Sequence, residues 1–232
     1  MGLPVIQHPV FELEQPSTKK TIKYRPFLVK EEKILLMAQQ SGNPDEYVKA
    51  ILQILTNCIF DDDPSSFPIM DIEYMFLQLR ASSVSEKAKV NILDDELQDW
   101  IEIEVDLSTV KVQGEFNDGF ITVNDDIKIE MKYPTYNDLL LVKDDESMMQ
   151  STAFVTSCIK RIYNGEEVYD PKDFKQKEVE EFMDSLPSNS WADISKHLVE
   201  FPKVSKEVEY DITLEGNKVK KKKKLEGLND FF

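Results

Sequence analysis

Residues 100–107 read WIEIEVDL. Ile101, Ile103, Val105 and Leu107 alternate with acidic side chains, and a period of two places one row on a buried face and the other in water. The same alternation returns at Ile127, Ile129, Met131 and Tyr133. Asn117-Asp118-Gly119 and Asn124-Asp125 are turn formers between short apolar runs, so residues 99–134 are expected to form an antiparallel meander with an acidic outer face.

Upstream the period is helical. Ile72, Met75, Phe76 and Leu79 recur at i, i+3, i+4 and i+7, which predicts a helix running to about Arg80. Val48, Ile51, Leu52 and Leu55 repeat that spacing, with Asn43 as a cap and Pro44 in the first turn. Glu31 to Gln40 favours helix and stops at Ser41-Gly42. Residues 29–98 are therefore expected to be a helical region. Before it, Pro4, Pro9, Pro16 and Pro26 disfavour helix and predict an extended arm over 1–28 that is apolar enough to lie against something.

Downstream, helices are expected at Tyr136 to Val142, Met148 to about Tyr163 and Pro171 to Leu186, with a short one carrying Trp191, Ile194 and Leu198. Val208, Tyr210, Ile212 and Leu214 then alternate into Glu215-Gly216-Asn217, a hairpin turn whose return strand is Lys218 to Lys224. Residues 135–232 thus read as a helical region ending in a hairpin. Helices, sheet, helices and hairpin in that order make the class α+β, one compact domain or two closely packed subdomains.

A 232-residue chain with 41% hydrophobic and 31% charged residues can bury a core without disulfides or metals. Its net charge is −16, and residues 61–150, with 22 acidic and 7 basic side chains, carry almost all of it. That balance opposes nucleic-acid binding, which needs a basic face, and suits either a solvated surface or a basic protein partner. No apolar run approaches the roughly 20 residues of a membrane span, so no membrane partner is expected. Residues 1–5 lack the charged and apolar pattern of an export signal, and two isolated cysteines fit a reducing compartment, so synthesis in a cytoplasm is expected.

Catalytic constellations are scarce. The carboxylate clusters Asp61-Asp62-Asp63, Asp94-Asp95-Glu96 and Asp144-Asp145-Glu146 match no calcium-loop pattern and read first as solvated loops; a metal-dependent hydrolase is the competing reading. His8 and His197 stand far apart, and two Cys and two His fall short of a zinc site. Cys58 and Cys158 sit in apolar stretches as small hydrophobes. No phosphate-binding, hydrolase or dinucleotide motif occurs. Neither enzymatic activity nor a cofactor is expected.

Two features suggest contacts. The run Lys218-Val219-Lys220-Lys221-Lys222-Lys223-Lys224 admits three readings: a sheet edge protected by lysines, a strip docking on an acidic surface, or a nucleic-acid contact. The end, Leu225-Glu226-Gly227-Leu228-Asn229-Asp230-Phe231-Phe232, either packs on its own domain or anchors in a partner's pocket.

The stretches TIKYRPFLVKEEKILLMA (21–38), DIEYMFLQLRASSVSE (71–86), DIKIEMKYPTYNDL (126–139), IKRIYNGEEVYDPKDF (159–174) and LEGLNDFF (225–232) resemble the T4-like phage baseplate hub subunit family, which also includes a hub assembly catalyst. The resemblance runs in order over most of the chain. It implies a structural part in a contractile tail baseplate, without catalytic residues, and a place in the virion; an assembly factor absent from the finished particle is the alternative. Partners would then be other hub or wedge proteins, and the same surfaces admit a homo-oligomer. The residues expected to meet them are Tyr24 and Phe27 in the arm, Lys220, Lys222 and Lys224 in the hairpin, and Leu225, Leu228, Phe231 and Phe232 at the end.

Overall fold

The computed structural model describes residues 6–143, 147–214 and 217–231. In chain order the strands and helices are β1 (Phe11–Glu14), β2 (Thr21–Tyr24), α1 (Val29–Ser41), α2 (Pro44–Cys58), β3 (Ile59–Phe60), α3 (Ile69–Ser83), β4 (Lys87–Asp94), β5 (Asp99–Asp106), β6 (Lys111–Gln113), β7 (Phe120–Thr122), β8 (Ile127–Met131), α4 (Tyr136–Leu139), α5 (Thr152–Ser157), β9 (Ile159–Asn164), β10 (Glu167–Tyr169), α6 (Gln176–Asp184), α7 (Ser188–Val199), β11 (Lys203–Leu214) and β12 (Asn217–Glu226). The class is α+β with antiparallel sheets, as the two periods require. The chain divides into two compact units: Met1–Gln113 with Lys203–Phe232, and Gly114–Pro202.

In the first unit the proline-rich beginning forms a hairpin. β1 pairs with β2 from Phe11 opposite Tyr24 to Glu14 opposite Thr21, and β3 adds to the far edge of β2. The turn between them is pinned by Asp71, buried in the first turn of α3. Its carboxylate accepts from Gln15 Nε2 at 2.7 Å and Ser17 N at 3.0 Å, and also from Ser17 Oγ. A buried carboxylate needs such donors to offset its lost hydration.

The three expected helices are present. α1 ends at Gly42, whose φ of +66° is the left-handed value a helix C-terminus favours. Asn43 caps α2 by accepting from Asp45 N at 2.9 Å, with Pro44 in the first helical position. Ile72, Met75, Phe76 and Leu79 of α3 are all buried. Arg80, at the end of that stripe, is half-buried and feels the charge of Glu32.

The strands within 99–134 distribute over three sheets. β5 pairs with β4, β6 pairs with β11, and β7 pairs with β8. Periodicity reports which face is buried but carries no information on pairing partners. β4 itself alternates strictly, with Ala88, Val90 and Ile92 inward. The C-terminal hairpin is as expected and long, from Ser205 opposite Glu226 to Leu214 opposite Asn217; Glu215-Gly216 of its turn lie outside the described residues.

The second unit is a sheet in the order β10-β9-β8-β7, with helices packed over a core that includes Ile129, Phe154, Cys158, Ile194 and Leu198. Here the helix expected from Met148 to Tyr163 is corrected: only Thr152–Ser157 is helical, and Ile159–Asn164 is β9. Pairing on both edges of β9 outweighs local propensity, and Asn164-Gly165 turns the chain into β10 with Gly165 at φ +60°. Pro171–Asp173 forms a single tight turn, and α6 starts only at Gln176. Gly119 is fixed by a close approach: at φ +73°, a Cβ there would lie 2.4 Å from the carbonyl oxygen of Met131.

Candidate interaction surface

The lysine run is a β-strand, and a period of two divides it between two faces. Lys220, Lys222 and Lys224 stand on the exposed face, opposite Asp211, Glu209 and Glu207 of β11. Lys222 Nζ lies 2.7 Å from Glu207 and 3.3 Å from Glu209, and Lys224 Nζ lies 2.6 Å from Glu226. Cross-strand pairing of opposite charges is favourable and fixes register. The outer face is therefore a ladder of alternating charge, and the run is not a bare cationic strip.

Lys221 and Lys223 turn to the other face, towards the loop joining β4 to β5. Lys221 Nζ sits 3.1 Å from Asp94 and 2.9 Å from Glu96. Lys223 Nζ donates to the carbonyl of Leu93 at 2.5 Å. Tyr210 of β11 donates its hydroxyl to Asp94 at 2.7 Å. At the opposite end Lys206 Nζ donates to the carbonyl of Asp106 at 2.7 Å. The two hairpins are thus clasped at both ends.

Asp94 is the hub of this clasp and is buried. Its carboxylate also accepts from the backbone N–H groups of Leu97 at 2.9 Å and Glu96 at 3.0 Å. The bond from Leu97, the Tyr210 hydroxyl and the Lys221 ammonium all favour the ionised form, so its carboxyl is held far below the usual carboxylate range. Residue type alone does not separate Asp94 from Asp95 and Glu96. The strict alternation of β4, which turns position 94 inward, is the one signal that distinguishes it.

The chain end is tied to the same unit. Gly227 N donates to Val204 O at 2.9 Å, Leu228 N to Glu73 Oε1 at 3.2 Å, and Glu226 N to Asp230 Oδ2 at 2.7 Å. Leu225, Leu228 and Phe231 are buried, Phe231 completely, while Phe232 lies outside the described residues. Tyr24 and Phe27 are also buried; Tyr24 stacks on Phe11 with ring centroids 5.7 Å apart, and Phe27 N donates to Ser83 Oγ at 2.9 Å. Of the residues expected at a partner contact, Lys220, Lys222 and Lys224 face solvent, and the described apolar ones build the unit that presents them. The large exposed apolar side chains lie elsewhere, Trp100 and Met37 among them.

The other polar groups have structural uses. Asp63 caps a short turn by accepting from Ser65 N at 3.0 Å, and Asp62 pairs with Lys20. Asp144-Asp145-Glu146 lie outside the described residues. His8 is exposed; His197 is buried, stacks on Tyr133 at 5.0 Å and has Nδ1 2.9 Å from Asn117 Oδ1. Cys58 and Cys158 are free and buried, and burial pushes their thiols up to about 11 and about 12. Among the described residues, no three His, Cys, Asp or Glu side chains converge on a metal position, and no helix is long and apolar enough to cross a membrane.

A protein-family model described as T4 bacteriophage base plate protein matches residues 8–232. No curated protein and no solved structure matches the chain.

Proposed function

The chain belongs to the T4 bacteriophage base plate protein family, and on that premise we propose that it is a non-enzymatic structural component of the baseplate hub of a contractile tail. It binds neighbouring hub or wedge proteins during tail assembly and stays in the virion. The single observation that carries this reading is the family match, which spans nearly the whole chain and both units. The residues support it in kind: their buried polar groups cap turns, clasp hairpins and fill the core, as an assembly part requires.

The contact we assign is the charged face of the C-terminal hairpin. Lys220, Lys222 and Lys224 alternate there with Asp211, Glu209 and Glu207, and the rigid clasp at Asp94 holds the ladder in place. Such a ladder has little net charge and a fixed pattern, so it selects a partner by register more than by bulk attraction. Leu225, Leu228 and Phe231 serve this contact from behind, in a chain end tied to Val204 and Glu73, while Tyr24 and Phe27 are buried elsewhere in the same unit.

The test is complementation in phage lacking the chain. Replacing Lys220, Lys222 and Lys224 by glutamine together, which sets no like charges opposite Asp211, Glu209 and Glu207, should leave a folded protein and block baseplate completion, with incomplete tail intermediates on a sedimentation gradient. Normal tails from this variant would remove the hairpin from the contact. Normal tails from phage lacking the chain altogether would remove the assembly role.

A further inference from the structure

Helix α1 is apolar on two opposite sides. Glu31, Leu35 and Ala38 face the core. Val29, Leu36 and Met37, at 66%, 50% and 70% exposure, form a second stripe with Lys33 and Gln40, spaced as one outward helix face. Lys33 lies within this stripe and makes no ion pair among the described residues, and Lys30 borders it, exposed, with its Nζ 3.3 Å from Glu31. Glu32 stands at one margin and lies in the field of Arg80. An exposed apolar stripe with cationic neighbours marks a contact site for an apolar surface ringed by acids.

The same unit carries such a surface. At the tip of the β4–β5 hairpin, Leu93 and Trp100 are direct cross-strand partners, and Leu97 lies in the loop between them. Trp100 is 65% exposed, and Leu93 and Leu97 are also open to solvent. Asp95, Glu96 and Asp99 surround them, and neither Asp95 nor Asp99 pairs with a cation among the described residues. The loop is stiff: Gln98 N donates to Asp94 O at 2.8 Å with Gln98 at φ +52°, and the Asp94 carboxylate accepts from the amides of Glu96 and Leu97. A preformed tip with an aromatic centre has the character of an interface hot spot.

We propose that the outward face of α1 and the β4–β5 tip are the two halves of one contact between copies of this chain. Trp100, Leu93 and Leu97 of one copy meet Val29, Leu36 and Met37 of the next, and Asp95 and Asp99 meet Lys30 and Lys33. The occupant is a second copy because charge and polarity match in both directions: apolar with lysines on one side, apolar with carboxylates on the other. Because the halves differ, the contact is head-to-tail, and repeating it gives a closed ring or an open filament. At 0.15 M salt the screening length is about 8 Å, which damps the repulsion between copies of net charge −16 while sparing pairs in contact.

The full chain is to be followed by sedimentation velocity from about 1 µM to about 1 mM, the span in which a contact this small places its Kd. Wild type should grow in mass with concentration. Met37→Glu and Trp100→Glu should each stay monomeric with unchanged far-UV circular dichroism. Mixed in equal amounts they should form a dimer and nothing larger, since the first keeps its tip and the second keeps its helix face. Lys33→Glu and Asp99→Lys, which leave the apolar contacts intact, provide a second pair: each alone should associate more weakly than wild type, and their mixture should regain growth in mass, because the glutamate introduced in one meets the lysine introduced in the other. A wild type that stays monomeric throughout overturns the proposal, as do variants that associate like wild type or a mixture no larger than its components. None of these residues belongs to the lysine ladder, so failure here leaves the proposed function standing.

Discussion

Tyr210 donates its hydroxyl to a carboxylate oxygen of Asp94 at 2.7 Å, joining the C-terminal hairpin to the β4–β5 loop across 116 residues of sequence. Lys221 reaches the same carboxylate from β12 at 3.1 Å. One buried acid thus receives two loop amides, a phenol and an ammonium, and orders both hairpins.

Replacing Asp94 by alanine should therefore destabilise the first unit more than Tyr210→Phe or Lys221→Met does alone. The four donors would lose a common acceptor, and unmade bonds at a buried site cost more than the bond itself contributes. Urea denaturation of the three variants and of the Asp94–Tyr210 double-mutant cycle measures this. A cycle that closes with no coupling contradicts the clasp.

The same carboxylate sets an acid limit. In the unfolded chain it titrates near its ordinary 3.8, while the clasp keeps it ionised in the folded chain well below that. The unfolded state then binds more protons, so this stabilisation is complete at neutral pH and is lost from roughly pH 5 downward. Asp94→Asn should flatten the pH dependence of the urea midpoint in that window. A slope unchanged by the substitution would show that other carboxylates set it.

His197 acts in a higher window. Burial lowers its pKa below the ordinary 6.5, against the pull of the Lys132 backbone and of Asp118. The unfolded imidazole takes up its proton first, so stability of the second unit should decline as pH falls through about 6.5. His197→Gln should remove that decline and leave the Asp94 window untouched. Chemical denaturation between pH 7.5 and about 5.5 checks it.

Phe231 is fully buried. Phe231→Ala should cost about 3–5 kcal/mol in the first unit, the range for a large aromatic lost from a packed core. A loss near zero in an equilibrium urea titration would mean that the side chain is not held in its own unit.

Two glycines give a paired test in the second unit. Gly165→Ala should cost about 1 kcal/mol, since φ +60° is strained for alanine but the site is open. Gly119→Ala should cost clearly more, because its Cβ also meets the Met131 carbonyl. Equal losses would contradict the close approach.

Much of this fold was legible in sequence because periodicity reports burial directly. Ile72, Met75, Phe76 and Leu79 mark α3, and Val208 and Ile212 mark the inner face of β11. Pairing was not legible: WIEIEVDL identifies β5 as a strand, yet its partner β4 was set by tertiary contacts. Ile159–Asn164 carries no strict alternation, so its strand state depends on the neighbours that hydrogen-bond to it on either edge. The lysine run was visible as charge, but its division into ladder and clasp needed the register opposite Glu207, Glu209 and Asp211. The apolar stripe of α1 was hidden for the opposite reason. A helix apolar on both sides loses the one-sided pattern that periodicity detects.

The most direct test of a structural role is quantitative mass spectrometry of purified, intact virions beside lysate from infected cells. A baseplate component is expected at a fixed, low copy number in every particle, unchanged after further purification. A chain abundant in lysate and absent from particles would contradict that role and identify an assembly factor that leaves before the tail is complete.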